Sequence, residues 1–110
     1  MNSRVHIIIT GKVQGVCFRI TTKQEAEKYD VKGWVRNKND GSVEAVFEGE
    51  KNRVDSVLEW CGNGPLMANV KKVETKWEKH KNEFHTFQVR NVDEITSPSR
   101  RTDLGQVCSI

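Results

Sequence analysis

Apolar and polar positions along the chain repeat first with period two, then with a period near 3.6, and then go through the same exchange again. Val5, Ile7 and Ile9 fall on one side of a strand over Arg4 to Thr10, with Ile8 on the other. Phe18, Thr22, Ala26 and Tyr29 recur at helical spacing, which predicts a helix from Phe18 to Tyr29 with one mostly apolar side. A strand over Val31 to Asn37 follows, then an Asn39-Asp40-Gly41 turn, then a strand over Ser42 to Glu48 whose Val43, Ala45 and Phe47 alternate with polar neighbours. An Asp-Gly turn between alternating strands predicts a hairpin. Val54, Val57, Leu58 and Cys61 form the stripe of a second helix over Arg53 to Cys61, and Gly62, Gly64 and Pro65 end it. Strands over Val70 to Trp77 and Phe84 to Arg90 complete the pattern.

The order strand, helix, strand, strand, helix, strand, with one extra strand, predicts an α+β fold. Two helices with single apolar stripes pack on one face of a mainly antiparallel sheet, in a ferredoxin-like split βαβ sandwich. Periodicity is lost from Asn91, where Asp93, Glu94, Ser97, Pro98, Ser99, Arg100 and Arg101 follow one another. The expected organisation is therefore one domain over residues 1–91 and a polar, flexible tail over 92–110.

Between the first strand and the first helix lies Gly11-Lys12-Val13-Gln14-Gly15-Val16-Cys17-Phe18-Arg19. A loop with two glycines turns several backbone N–H groups inward, and the helix start adds its own unpaired N–H groups and the positive end of its dipole. Arg19 brings a permanent charge and a planar fork of donors matched to phosphate oxygens. These features together suit an anion. The loop is not a nucleotide-binding P-loop, because Gly-Lys-Ser/Thr is missing, and it lacks the third glycine of the dinucleotide fingerprint.

Composition narrows the choice. With 110 residues, 35% apolar and 30% charged, the chain forms a single modest core under a solvated surface. The near-continuous apolar run Val5 to Ile9 is too short to cross a bilayer or to act as a secretory signal, so the expected location is cytoplasmic, with no membrane partner. A net charge of +3, with basic and acidic residues interspersed, does not argue for nucleic acid. Cys17, Cys61 and Cys108 are too widely spaced for a disulfide framework and are expected to be reduced. His6, His80 and His85 are scattered, so no metal site is expected. Cys17 stands two residues from Arg19, too close for the two to flank a loop wrapping a phosphate, which argues against a cysteine phosphatase. Trp34, Trp60 and Trp77 are expected to be packing residues.

The segment from Gly11 to Arg19 resembles the first signature of the acylphosphatases. Gly33-Trp34-Val35-Arg36-Asn37-Lys38-Asn39-Asp40-Gly41-Ser42-Val43-Glu44 resembles their second, and Gly64-Pro65, Ala68, Val70 and Val73 match a later part of the family pattern. The likeness covers about Arg4 to Arg90. It implies a hydrolase without cofactor or metal that cleaves a small-molecule acyl phosphate to a carboxylate and inorganic phosphate. By the same resemblance, Arg19 binds the phosphate and Asn37 positions the attacking water. The backbone N–H groups of Gln14, Gly15, Val16, Cys17 and Phe18 match the phosphate cradle of that family. For the Gln14 side chain two roles stay open, donation to substrate or stabilisation of the loop.

The chemistry is consistent with that residue set. A carboxylate leaves readily at neutral pH, so no general acid is needed, whereas an alkyl phosphate would require one. Acyl phosphates are therefore expected to be hydrolysed in strong preference to phosphomonoesters. The protein is expected to act as a monomer. The competing expectation is a non-catalytic anion-binding or accessory domain of the same fold. An RNA-binding sheet is disfavoured, because strand one carries no aromatic residue and Phe47 shares the face of Val43 and Ala45.

Overall fold

In the computed structural model, which describes residues 2–90, β1 (Asn2–Lys12) extends two residues beyond the predicted strand at each end. It is followed by α1 (Phe18–Lys28), β2 (Lys32–Asn37), β3 (Val43–Glu50), α2 (Lys51–Asn63), β4 (Asn69–Glu78) and β5 (Phe87–Arg90). The strands form one sheet in the order β4-β1-β3-β2-β5, antiparallel except where β5 pairs parallel with β2. The first four strands and two helices make the expected split βαβ sandwich, and β5 is added at the β2 edge.

One face of this sheet is apolar because of the alternation already visible in the chain. Val5, Ile7 and Ile9 of β1 pair with Phe47, Ala45 and Val43 of β3, and all six are fully buried. Phe18, Thr22 and Ala26 of α1 and Val54, Val57 and Cys61 of α2 cover that face. Removing a Val, Ile or Phe side chain from water is worth about 1.5–3 kcal/mol, so this layer provides the main drive for folding. Thr22 is the one polar member of the α1 stripe, and its hydroxyl donates to Phe18 O at 2.7 Å.

The β2–β3 hairpin closes as predicted. Lys38 N–H donates to Ser42 O (2.8 Å) and Gly41 N–H to Lys38 O (3.2 Å), while Asp40 Oδ1 accepts from the backbone N–H and hydroxyl of Ser42. This turn sits at the same end of the sheet as the β1–α1 loop, since Ile9 and Asn37 both pair with Val43.

The last strand departs from expectation. It begins at Phe87 rather than Phe84, because the preceding residues are held elsewhere. Glu48, buried at 4% exposure, accepts hydrogen bonds from the backbone N–H groups of Lys81, Asn82 and Glu83 at 2.6, 2.8 and 3.3 Å. Asn82 adopts a left-handed φ of 54° within this wrap, which no strand accommodates. Arg4 anchors the same segment through Glu83 (2.7 Å) and Phe84, whose ring centroid lies 5.0 Å from its guanidinium.

Trp60 packs against Phe18 as expected, with ring centroids 5.5 Å apart. Trp77, 44% exposed, lies under Lys51, and Trp34 is half-buried between the guanidiniums of Arg36 and Arg90, so neither is a core residue. The expected tail, 92–110, lies outside the described residues. Among the described residues, no helix is long and apolar enough to cross a membrane.

Candidate active site

The β1–α1 loop is fastened at its root by a bulge. The β1–β4 register shifts between Thr10 and Gly11, where the backbone has φ +124° and a Cβ would lie 2.2 Å from Asn69 O. Only glycine fits so close to the neighbouring backbone. The chain then turns through Gly15 (φ 74°) and Cys17 (φ 67°), both left-handed, before entering α1. Val13, Val16 and Phe18 are buried, so their side chains tie the loop to the core and only their backbone is available to a ligand. The α1 ladder starts with Thr21 N–H on Cys17 O at 3.0 Å. That leaves the N–H groups of Phe18, Arg19 and Ile20 at the open end of the helix, where an anion is favoured.

Arg19 projects from this first turn. Its Nη1 donates to the backbone carbonyl of Arg90 at 3.3 Å, which uses one of the guanidinium's five N–H donors and leaves the others for a planar anion. Among the described residues no carboxylate pairs with it. Burial alone acts on this cation and pulls it below the ordinary arginine pKa. An arginine in this state is short of a counter-ion.

Asn37 ends β2, and its Oδ1 is buried without a hydrogen-bond partner among the described residues. Buried acceptors left unpaired in this way are uncommon and mark a place where a donor is wanted. The two polar groups share one neighbourhood. Arg90, which holds Arg19, is in register with Arg36, and Asn37 is the next residue along β2.

Of the residues expected to form a cradle, Gly15 is exposed, Gln14 and Cys17 are half-buried, and Val16 and Phe18 are buried. The Gln14 side chain is committed: Nε2 donates to Lys38 O (2.7 Å) and to Ser42 O (2.9 Å). Both its N–H donors therefore go to the hairpin, and what Gln14 can offer a ligand is its backbone N–H. Cys17 is disulfide-bonded, which corrects the expectation that all three thiols are reduced and leaves no thiolate in the loop. Cys61 is a free, buried cysteine, and Cys108 lies outside the described residues.

Sequence reasoning did not identify Arg90 as the anchor of Arg19. The acceptor is a main-chain carbonyl, which any residue type supplies, so no signal in the chain marks it. A separate concavity of about 540 Å³ lies at the opposite end of the sheet, lined by Glu48, Arg53, His80, Asn82 and His85 among others. Its charged groups satisfy one another, as in Arg53 with Asp30 (3.5 Å) and Glu50 (3.6 Å). Among the described residues no three His, Cys, Asp or Glu side chains are grouped as metal ligands would be.

Comparison with known proteins places the chain in a family. The acylphosphatase family model matches residues 5–89. An acylphosphatase of Pyrobaculum calidifontis is 54% identical over 87 residues, covering 78% of this chain and 79% of the relative. One from Pelotomaculum thermopropionicum is 42% identical over 87 residues, covering 79% and 95%. The crystal structure of acylphosphatase from Bacillus subtilis superposes with a TM-score of 0.78 at 34% identity, over 82% of this chain and 99% of that one. With the loop of the first signature and Asn37 of the second at one end of the sheet, and matches over most of its length, the chain belongs to the acylphosphatase family.

Proposed function

We propose that Arg19 and the backbone amides of residues 14–18 bind the phosphoryl group of an acyl phosphate while Asn37 aims a water molecule at its phosphorus. The water oxygen bonds to phosphorus as the bond from phosphorus to the acyl oxygen breaks, releasing a carboxylate and inorganic phosphate. Phosphoryl transfer of this kind asks a protein mainly for positioning and for charge stabilisation on the non-bridging oxygens. Arg19 and the open end of α1 supply that charge stabilisation in a fixed arrangement. Asn37 has no basic nitrogen, so it orients the water by accepting one of its O–H groups and takes no proton. The carboxylate leaves without a general acid, in keeping with a site whose side chains are an arginine and an asparagine.

One observation carries this reading. A half-buried cation and a buried acceptor, which among the described residues have no carboxylate partner and no donor respectively, lie within one residue's pairing of each other at the same sheet end. An anion satisfies the first and a water satisfies the second. The protein is taken to act as a monomer in the cytoplasm, independently of nucleic acid and membranes.

The test is hydrolysis of benzoyl phosphate without added metal, beside a simple alkyl phosphate under the same conditions. Turnover of the first with none of the second is expected. Comparable turnover of both would overturn the leaving-group argument. Phosphate binding without any turnover would favour the non-catalytic accessory domain.

A further inference from the structure

We propose that Gln14 is a positioning residue for the hydrolysis, holding the phosphate cradle and the Asn37 hairpin at a fixed separation. The proposal rests on the acyl phosphate reading of the site. The Gln14 amide bridges two segments that no other side-chain hydrogen bond among the described residues joins directly. Its two acceptors, Lys38 O and Ser42 O, are the carbonyls that already close the β2–β3 turn, by accepting from Gly41 N–H and Lys38 N–H. Each carbonyl thus accepts two hydrogen bonds, filling both lone pairs. Lys38 directly follows Asn37, so the strut ends one residue from the carboxamide that carries the water.

The chemistry of the contact is selective. Two carbonyl oxygens need an NH2 group that reaches both, which glutamine supplies and methionine of the same length does not. Glutamate would set a carboxylate against two carbonyl oxygens. Asparagine is one methylene too short. What the strut fixes is the distance from phosphorus, held by the loop amides and Arg19, to the water, held by Asn37. In-line attack is sensitive to that distance: a displacement of about 1 Å costs on the order of 10²-fold in rate. The Gln14 side chain acts on turnover through Asn37, while its backbone N–H stays with the cradle and Arg19 in phosphate binding.

A double-mutant cycle on the full chain tests this, with benzoyl phosphate as substrate and inorganic phosphate as competing ligand. Gln14→Met is expected to lower kcat by about 10–100-fold, with phosphate affinity changed by less than roughly threefold. In an Asn37→Ala background the same change is expected to cost less than about twofold, since the residue it acts through is gone. Gln14→Glu provides a second readout that does not depend on how Gln14→Met affects stability. Once its carboxyl is protonated it regains one O–H donor, so its activity relative to wild type is expected to climb as pH falls toward about 4. Normal kcat in Gln14→Met, fully additive losses in the double mutant, or a loss confined to phosphate affinity would each overturn the proposal. Wild-type protein inactive on benzoyl phosphate would overturn the hydrolase reading itself, and this proposal with it.

Discussion

Replacing Asn37 with alanine is expected to slow the enzyme and to cost the fold little stability. The two effects have separate origins at one side chain. Oδ1 has no hydrogen-bond partner among the described residues, so truncating it breaks no hydrogen bond within the fold. Alanine gives up some packing, which for a half-buried side chain of this size is of the order of 1 kcal/mol. The net change is then a loss of about 0–1 kcal/mol. At about 4–8 °C per kcal/mol for a domain of this size, the Tm falls by no more than about 8 °C. Turnover moves the other way: losing a placed hydrogen-bonding group at the reacting centre typically costs ~10²–10³ in rate, or about 2.7–4 kcal/mol of barrier. The measurements are benzoyl phosphate hydrolysis followed by absorbance, thermal unfolding followed by circular dichroism, and inorganic phosphate affinity, which stays near wild type because Arg19 and the cradle are intact. A variant that melts well below wild type while retaining full kcat would refute the reasoning. Asn37 would then be a structural residue at a strand end.

Arg19→Lys keeps the charge but loses the planar fork, and a rate loss of at least ~10²-fold is expected; near-normal kinetics would remove Arg19 from the mechanism. Gly11→Ala forces a Cβ to within 2.2 Å of Asn69 O at φ +124°, so chemical denaturation is expected to show a loss of about 3 kcal/mol or more, and an unchanged midpoint would contradict the described bulge. Glu48 is held below the usual carboxylate pKa by three backbone N–H groups and nearby His80, which outweigh the opposing effect of burial. Its folded pKa is depressed, so its contribution is fully present above the unfolded value near 4.3 and is lost as pH falls through the folded value. Glu48→Gln is therefore expected to destabilise the protein at pH 7 by about 1–3 kcal/mol and to flatten the acid limb of its stability profile. An acid limb identical to that of wild type would show that Glu48 does not drive it.

Which features were legible in the chain depended on how far each contact reaches. The alternation in β1 and β3, the helical stripes and the Asp40-Gly41 turn are local patterns, and each element formed where its pattern predicted, within a few residues. The features that suit the Gly11 to Arg19 loop to an anion were also local, since they depend on glycine spacing and a helix start. The Gln14 strut was not, because its acceptors are main-chain carbonyls 24 and 28 residues away and carry no signature in the sequence. The start of β5 was misplaced for the same reason. Phe84 to Thr86 have strand-like composition, but Glu48, more than thirty residues earlier, draws the preceding backbone into a wrap. The resemblance implied Arg19 and Asn37 as site residues, while only the fold shows that, among the described residues, no carboxylate pairs with Arg19 and no donor reaches Asn37 Oδ1.

Among the described residues β4 pairs with β1 on one side and with no strand on the other, so its outer backbone groups form a template on which a second chain could pair. Lys71, Lys72, Glu74, Thr75 and Lys76 are all exposed along that rim. Strand addition there would force several ammonium groups against an incoming copy, a penalty that short hydrophobic edges lack. The lysine-studded border thus guards against fibril-like stacking. Neutralising it by acetylation or by lysine-to-threonine exchange would be expected to shorten the lag before turbidity in a concentrated, gently heated solution.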